Sequence, residues 1–270
     1  MRSLTILFAT LLSLTSAIVA DDKTADLGTD LAPAVLARAK EIHADFKGQE
    51  GYIAQFGDSI TYSMAFWSPM SWDDPGKYLP EDDLPNKPES SRWRDWIKGA
   101  RDKGVKFSNY SGWRVGNLLK SVDAVLTKDR PEAAMIMIGT NDISGGKVPA
   151  DYKENLEQVI AKCIAAHCIP ILNTIPPRRG KDEAVEQVNT IVRDIASEQN
   201  IPLVDYHAAI VKLRPDKSWD GTLISKDGVH PSGGKSNVYD SENLHNCGYA
   251  LRNWINFLVV RQLHFKVLKD

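Results

Sequence analysis

The stretch Tyr52-Ile53-Ala54-Gln55-Phe56-Gly57-Asp58-Ser59-Ile60 decides the fold of this chain. Its first five residues form a short, mostly apolar run, which is typical of a buried strand. The residues that follow stand at the carboxyl end of that strand, where open α/β sheets keep their ligand crevices. Ser59 is a candidate nucleophile if the chain also supplies a base, an orienting acid and oxyanion donors. It is also a candidate N-cap of the next helix, because serine is a preferred capping residue.

Further apolar runs follow and alternate with segments of helical periodicity. The predicted strands are 52–56, 105–110, 133–138, 169–174 and 201–204, and the predicted helices are 32–46, 91–100, 116–126, 152–166, 183–198 and 249–263. Strands that alternate with helices predict a parallel sheet covered on both faces. The pattern therefore predicts an α/β fold, a small doubly wound sheet of flavodoxin-like type with five parallel strands.

The beginning of the chain has the order of an export signal. Arg2 is followed by an apolar stretch over 4–20, and the chain then turns polar. This order is typical of a secretory signal peptide. A membrane anchor is the alternative, but it usually needs about 20 apolar residues. We expect residues 1–20 to be removed, and residues 21–270 to form one exported domain, periplasmic or extracellular, without a membrane span.

Composition argues against two classes of protein. Lys and Arg number 33 against 35 Asp and Glu, a net charge of −2, which leaves no electrostatic footprint for nucleic acid. The three cysteines, Cys163, Cys168 and Cys247, are too few for a disulfide framework. One bridge among them and buried free thiols both fit the pattern. A chain of this length is able to bury one sizeable core.

Four more residues offer the chemistry that a nucleophilic Ser59 needs. Asp227 stands three residues before His230, from where it could hold the imidazole in one tautomer while the ring takes the serine proton. Asn141 could offer a side-chain amide to an oxyanion, and Gly112 a backbone N–H. Each pattern is also an ordinary turn signal. However, Ser59, Gly112 and Asn141 follow three successive predicted strands, which puts them at one edge of the sheet, and a long loop can return His230 to that edge.

Taken together, these motifs resemble those of the SGNH hydrolases, also called GDSL-type esterases. Gly57-Asp58-Ser59-Ile60, Gly112, Gly139-x-Asn141-Asp142 and Asp227-x-x-His230 are similar to the four family blocks, in family order. The resemblance implies a three-layer α/β/α fold and ester hydrolysis without a metal or other cofactor. It implies that Ser59 is the nucleophile, His230 the general base and acid, and Asp227 the acid that orients it. The oxyanion hole would be the N–H groups of Ser59 and Gly112 with the Asn141 side chain.

Two acids beside these motifs are expected to be structural. Asp58 neighbours Ser59, but adjacent side chains on an extended segment point opposite ways, so Asp58 is expected to anchor the turn or cap the next helix. Asp142 is expected to hold the loop that presents Asn141.

Two long polar loops, 63–90 and 232–246, interrupt the alternation, and such loops are usually functional or disordered. The first carries Trp67 and Trp72, which either line a crevice wall or fold back into a minor core. Aromatic walls suit sugar faces and polar ligands. Arg178 either binds an anionic group there or is simply solvated.

These features favour an exported serine esterase that removes acyl groups, in particular acetyl, through an acyl-enzyme at Ser59. The expected substrate is a small-molecule or polysaccharide ester, with a carbohydrate preferred. A lipid or thioester hydrolase is the enzymatic alternative. A non-catalytic carbohydrate-binding module is the alternative from a different class.

Overall fold

A parallel sheet of four strands lies at the centre of the protein, in a computed structural model that describes residues 27–80 and 90–269. The strands are β1 Gln49–Gly57, β2 Pro131–Met137, β3 Ile169–Asn173 and β4 Leu203–Val204, in the order β1-β2-β3-β4. The helices are α1 Pro33–His43, α2 Ser59–Tyr62, α3 Ser90–Trp93, α4 Val115–Lys128, α5 Tyr152–Ala165, α6 Asp182–Gln199, α7 Tyr206–Leu213, α8 Ser241–Leu244 and α9 Gly248–Leu263. The signal peptide predicted over 1–20 lies outside the described residues.

The carboxyl ends of β1 and β2 come very close to each other. Every residue of β2 and the last seven residues of β1 are buried, as in parallel sheets with helices on both faces. The register pairs Gly57 with Met137, and a Cβ atom on Gly57 would lie 2.2 Å from the Met137 carbonyl oxygen. The chain therefore leaves both strands at one edge of the sheet.

The strand predicted over 105–110 is wrong. Val105–Phe107 is a turn of 3₁₀ helix, and Asn109 pairs with β1 only through an isolated parallel bridge to Gly57. Ser108 has a φ of 58°, and a strand cannot continue through a residue in the left-handed region. The flavodoxin-like order is kept, but the position outside β1 is reduced to isolated bridges, Asn109 with Gly57 and Lys98 with Tyr52.

Most of the predicted helices are confirmed to within a few residues. The exception is 91–100, which contains only α3 and a short 3₁₀ turn, Arg94–Trp96. The sequence pattern also misses α7, which begins directly after β4 with Asp205 as its N-cap. Eight residues are too few to show a clear helical period.

Helices cover both faces of the sheet. Crossovers between parallel strands are right-handed, and the strands are added in one direction from β1 to β4, so α4, α5 and α6 lie on the same face. There α4 packs on α5. The helix α9 contacts α7, α8 and β4 on the other side. The protein therefore has the predicted three-layer α/β/α architecture.

The loop after α2 packs over α9. Trp67 is fully buried, its ring lies 6.2 Å from that of Trp93, and Trp93 lies 4.8 Å from Phe257 on α9. The expectation that Trp67 lines a crevice wall is wrong, because the residue belongs to a minor core. Trp72 is half exposed and remains a candidate for contact with substrate.

The second long loop packs on the same helix. Tyr239 stacks on Trp254 of α9 with ring centroids 5.5 Å apart. The residues from Gly248 to Phe257 are all buried, so α9 has no solvent-facing side over its first ten residues. The described parts of both loops therefore contribute buried side chains that pack around α9.

The three cysteines are buried and carry free thiols. None of the helices in residues 27–80 and 90–269 is both long and apolar enough to span a membrane.

Candidate active site

Ser59, His230 and Asp227 form one chain of hydrogen bonds, although Ser59 and His230 are 171 positions apart. Ser59 Oγ lies 2.9 Å from His230 Nε2, and His230 Nδ1 lies 2.7 Å from Asp227 Oδ2. The structure thus brings together the three residues that the sequence proposed as a triad. The geometry is that of a nucleophile, a base and an orienting acid.

Asp227 is held as an ionised acceptor. Its Oδ1 accepts hydrogen bonds from the N–H groups of Val229 and His230 at 2.9 and 3.0 Å, and from Ser225 Oγ at 2.7 Å. Partial burial opposes ionisation, but these bonds and the His230 ring outweigh it and hold the pKa of Asp227 below its usual value. A carboxylate here favours a proton on Nδ1, which leaves Nε2 to accept the proton of Ser59.

The loop that carries this acid and base is braced by Arg179. Its guanidinium makes two hydrogen bonds to Asp220, at 2.7 and 2.6 Å, and a third to the carbonyl oxygen of Lys226 at 3.1 Å. The Arg179 N–H also donates to the Gly228 carbonyl oxygen at 2.9 Å. Sequence reasoning missed this brace and the role of Ser225. The pairing with Asp220 spans 41 positions, and no local pattern announces it.

Asp58, and not Ser59, caps α2. Asp58 Oδ1 accepts the N–H of Ile60 at 3.0 Å, and its backbone carbonyl accepts from Thr61 and Tyr62. The capping role expected for Asp58 is confirmed, and the alternative that Ser59 is the cap is wrong. Among the described residues the Ser59 N–H has no hydrogen-bond partner, so it is available to an incoming oxygen.

Asn141 and Asp142 tie the loop after β2 to the Gly112 loop. Asn141 Nδ2 donates one hydrogen to the Trp113 carbonyl oxygen at 3.0 Å, and its second hydrogen stays available. Both carboxylate oxygens of Asp142 accept the Val115 N–H, at 3.2 and 3.3 Å. Gly112 itself is exposed and has a φ of 76°, which favours glycine.

Arg178 braces the same region. Its guanidinium donates to the carbonyl oxygen of Thr140, the residue before Asn141, and to Ser144 Oγ at 3.2 Å. The expectation of a simply solvated arginine is therefore wrong, and a role in binding substrate remains a prediction.

Three exposed or half-exposed aromatic residues border Ser59 and Gly112, and we call them the aromatic row. Tyr62 follows Ser59 by three positions on α2, its ring lies 5.2 Å from that of Tyr110, and Tyr110 lies 6.4 Å from Trp113. The side-chain polar groups of the row make no hydrogen bond to any described residue. Sequence reasoning did not single out this row; it considered Trp67, which is buried, and Trp72, which is half exposed.

The described residues contain no cluster of three or more His, Cys, Asp or Glu side chains that could hold a metal ion.

Comparison with known proteins gives two kinds of similarity. Residues 56–233 match the GDSL-like Lipase/Acylhydrolase family. An uncharacterized lipoprotein of Bacillus subtilis (strain 168), YqeF, is 24% identical over 218 residues, which cover 69% of this chain and 83% of the relative.

Solved structures of other proteins share the fold. The psychrotrophic esterase EstA from Pseudoalteromonas sp. superposes with a TM-score of 0.52 at 18% identity, covering 80% of this chain and 100% of the esterase. A lipase/acylhydrolase from Enterococcus faecalis gives a TM-score of 0.50 at 21% identity, covering 80% and 96%. The family match spans more than half of the chain and includes Ser59, Asn141, Asp227 and His230. The chain therefore belongs to the GDSL-like lipase/acylhydrolase family and is a serine hydrolase that acts on ester bonds.

Proposed function

We propose that the protein hydrolyses O-acyl esters through an acyl-enzyme on Ser59. The observation that carries the proposal is the hydrogen-bonded chain from Ser59 through His230 to Asp227. His230 Nε2 takes the hydroxyl proton while Ser59 Oγ bonds to the ester carbonyl carbon. The tetrahedral intermediate then collapses, the C–O bond to the alcohol breaks, and His230 returns the proton to the alcohol oxygen. A water molecule activated by His230 releases the acid and restores Ser59.

Three donors are assigned to the oxyanion of that intermediate. They are the N–H groups of Ser59 and Gly112 and the remaining amide hydrogen of Asn141. Support comes from the unpartnered Ser59 N–H and from the hydrogen bond that holds Asn141 to the Gly112 loop. Removing one such donor costs about 10²- to 10³-fold in kcat in other serine hydrolases.

The acyl group is proposed to be short, acetyl in particular, and the alcohol to be a carbohydrate. The aromatic row supports this, because flat rings with unused O–H and N–H groups suit a ring with many hydroxyl groups. Trp72 and Arg178 are further candidate contacts. A lipid or thioester hydrolase is the competing outcome, and it would call for an apolar acyl-binding groove.

Export and domain organisation are also proposed. The signal-like residues 1–20 and the similarity to a protein named as a lipoprotein support export. Residues 21–270 would then form one catalytic domain, in the periplasm or outside the cell.

Ser59→Ala tests the nucleophile. Turnover of p-nitrophenyl acetate, p-nitrophenyl palmitate and acetylated xylan is measured for the wild type and the variant. In Ser59→Ala, kcat should fall about 10⁶-fold. Ser121→Ala is the matched control and should keep wild-type turnover, because among the described residues the Ser121 hydroxyl bonds only the Leu118 carbonyl oxygen within α4. Equal turnover by wild type and Ser59→Ala would contradict the assignment of the nucleophile.

The same assay tests the substrate class. We expect acetate to be preferred over palmitate, and release of acetate from the xylan. A Tyr110→Ala variant should raise KM for the xylan and leave KM for p-nitrophenyl acetate unchanged, because only the xylan carries a sugar. A preference for palmitate would overturn the carbohydrate proposal and favour a lipid hydrolase.

A further inference from the structure

Two buried cationic groups lie against the backbone that follows Ser59. Arg252 of α9 is fully buried, and its guanidinium donates to the Ile60 carbonyl oxygen at 3.0 Å and to Thr61 Oγ1 at 3.1 Å. The ammonium group of Lys103 donates to the Thr61 carbonyl oxygen at 2.8 Å. The two cations thus donate hydrogen bonds to successive carbonyl groups of α2, the helix that begins with Ser59.

Helix α2 is too short to hold itself in place. It has four residues, and an isolated helix of that length is unstable. The carbonyl groups at the end of a helix have no partner within the helix and need one elsewhere. Arg252 and Lys103 supply those partners, while Asp58 supplies the cap at the other end. Removing the cations would leave the carbonyl groups of Ile60 and Thr61 without these partners.

Burial of Arg252 and Lys103 costs free energy of folding, so packing alone does not account for the presence of these two cations. Neither cation forms a salt bridge within the described part of the chain. Burial lowers the pKa of Arg252 to about 10, and it lowers the pKa of Lys103 well below its usual value. A buried charge without a close counter-ion is unfavourable relative to an apolar side chain of similar size.

Phe66 and Asp58 offset part of this cost. The Arg252 guanidinium lies 3.5 Å from the centroid of the Phe66 ring, and the Lys103 ammonium lies 5.3 Å from it. Asp58 stands at the start of α2 and Arg252 near its end, so the two charges complement the dipole of the turn. We call α2, Ser59–Tyr62, the nucleophile turn, because Ser59 is its first residue. Both ends of this turn are therefore held by buried charges.

We propose that Arg252, assisted by Lys103, is a positioning residue that holds α2 so that Ser59 Oγ meets His230 and the Ser59 N–H faces the reacting oxygen. This inference rests on the proposed role of Ser59 as the nucleophile. A shift of about 1 Å in a catalytic group costs on the order of 10²-fold in rate. The loss falls on kcat, because the cations lie behind the turn and do not touch substrate.

Arg252→Met is the test, since methionine fills much of the space and donates no hydrogen bond. On p-nitrophenyl acetate, kcat should fall about 100-fold with KM within threefold of wild type. The rate constant for labelling by diethyl p-nitrophenyl phosphate should fall in parallel. In that reaction Ser59 Oγ bonds to phosphorus, its proton passes to His230, and p-nitrophenolate leaves. Arg252→Lys should recover at least tenfold of the loss.

Arg193→Met is the matched control, because Arg193 is a partly buried arginine that pairs with Asp205, away from α2. It should lose stability and keep kcat within twofold. A purely structural role for Arg252 would lower the fraction of protein that reacts with the phosphate and leave the rate constant unchanged.

A folded Arg252→Met protein with kcat within threefold of wild type would overturn the proposal. If that variant does not fold, Lys103→Met is judged by the same limits. Labelling or turnover retained by Ser59→Ala would instead overturn the proposed function, so the two failures are distinguishable.

Discussion

Two aspartates beside the same histidine and serine have opposite electrostatic environments. Asp227 accepts four hydrogen bonds, which keep its pKa below the usual value although partial burial opposes this. Asp58 is fully buried, and burial raises its pKa to about 6 despite the hydrogen bond from the Ile60 N–H and the nearby Arg252 guanidinium. Its Oδ2 has no partner among the described residues. Burial and the number of hydrogen-bond donors together therefore separate the pKa values of Asp227 and Asp58.

Asp58→Asn should change how stability depends on pH. The pKa of Asp58 in the folded protein, about 6, lies above its usual 3.8, so the folded state binds more protons between these values. This group therefore makes the free energy of unfolding fall as the pH rises from about 4 to about 6. The full difference corresponds to roughly 3 kcal/mol. Asparagine keeps the acceptor for Ile60 but cannot ionise.

The measurement is urea unfolding of both proteins at pH 4 and pH 7. The stability of Asp58→Asn relative to wild type should rise between the two pH values. Asp45→Asn, which changes an exposed carboxylate, is the control. A constant difference between Asp58→Asn and wild type would contradict the prediction.

At the scale of single residues, the sequence predicted which side chains carry chemistry better than it predicted which side chains are buried. Ser59, Asp227 and His230 were recognisable because each chemical type stands in a motif of fixed spacing. Trp67 was not interpretable in the same way, since it stands in a long loop that carries serine, proline and aspartate while its own ring is fully buried. Burial depends on what packs from elsewhere, and Trp67 is covered by residues from α3 and α9.

The elements that decide the site are the ends of β1 and β2. Parallel strands are spaced by their hydrogen bonds, and the chain must turn sharply after both to present Ser59 and Asn141. Gly57 allows this turn because Met137 and Thr61 leave no room for a side chain. The carbonyl oxygen of Met137 belongs to the sheet backbone, so it cannot move aside.

Gly57→Ala should therefore destabilise the protein and reduce activity. The added methyl group would lie 2.2 Å from the Met137 oxygen and 2.5 Å from Thr61 Oγ1. Overpacking of this kind costs about 3 kcal/mol, which lowers Tm by roughly 6–12 °C in a domain of this size. Thermal unfolding followed by circular dichroism measures the change.

Gly116→Ala is the matched control on α4. A Cβ there meets no atom within 4 Å, and alanine is the better helix former, so stability should rise by about 0.5 kcal/mol. Equal Tm values for the two variants would show that the close approach at Gly57 is not tight.

The error in the strand predicted over 105–110 also has its cause at the level of single elements. The run over 105–110 has the composition of a strand, but Ser108 is left-handed and Asn109 turns its amide to the Gln55 carbonyl oxygen at 2.8 Å. A side-chain hydrogen bond thus replaces part of a backbone ladder. Propensity within one segment does not reveal that competition.

At the scale of the whole molecule, α9 organises the protein. Its buried polar residues bond three separate parts of the chain. Arg252 donates to α2, and Asn253 Oδ1 accepts the backbone N–H of Trp67 at 2.8 Å. Asn256 donates to Asn173 Oδ1 at 2.9 Å. The nucleophile turn, the first long loop and the end of β3 are thereby tied to one helix.

Trp67→Ala and Trp72→Ala should separate the minor core from the surface. Trp67 is fully buried, and its loss should lower the free energy of unfolding by about 3–5 kcal/mol. Trp72 is half exposed, so its loss should change stability by less than about 0.5 kcal/mol. Urea unfolding measures both variants.

Activity gives a second comparison of the same pair. If Trp72 contacts substrate as proposed, Trp72→Ala should raise KM for acetylated xylan several-fold at unchanged stability. Similar losses of stability in the two variants would contradict the assignment of Trp67 to the core.

The sequence by itself determined the α/β class, the order of most elements and the three side chains, Ser59, His230 and Asp227, that the structure joins by hydrogen bonds. It could do so because hydrophobic periodicity and motif spacing are local properties of the chain. Only the tertiary structure decided which loop carries the aromatic row, that Arg179 braces the Asp227 loop, and that Arg252 lies beneath Ser59. These features depend on contacts between residues as far apart as 192 positions, where burial and hydrogen bonding arise only on folding.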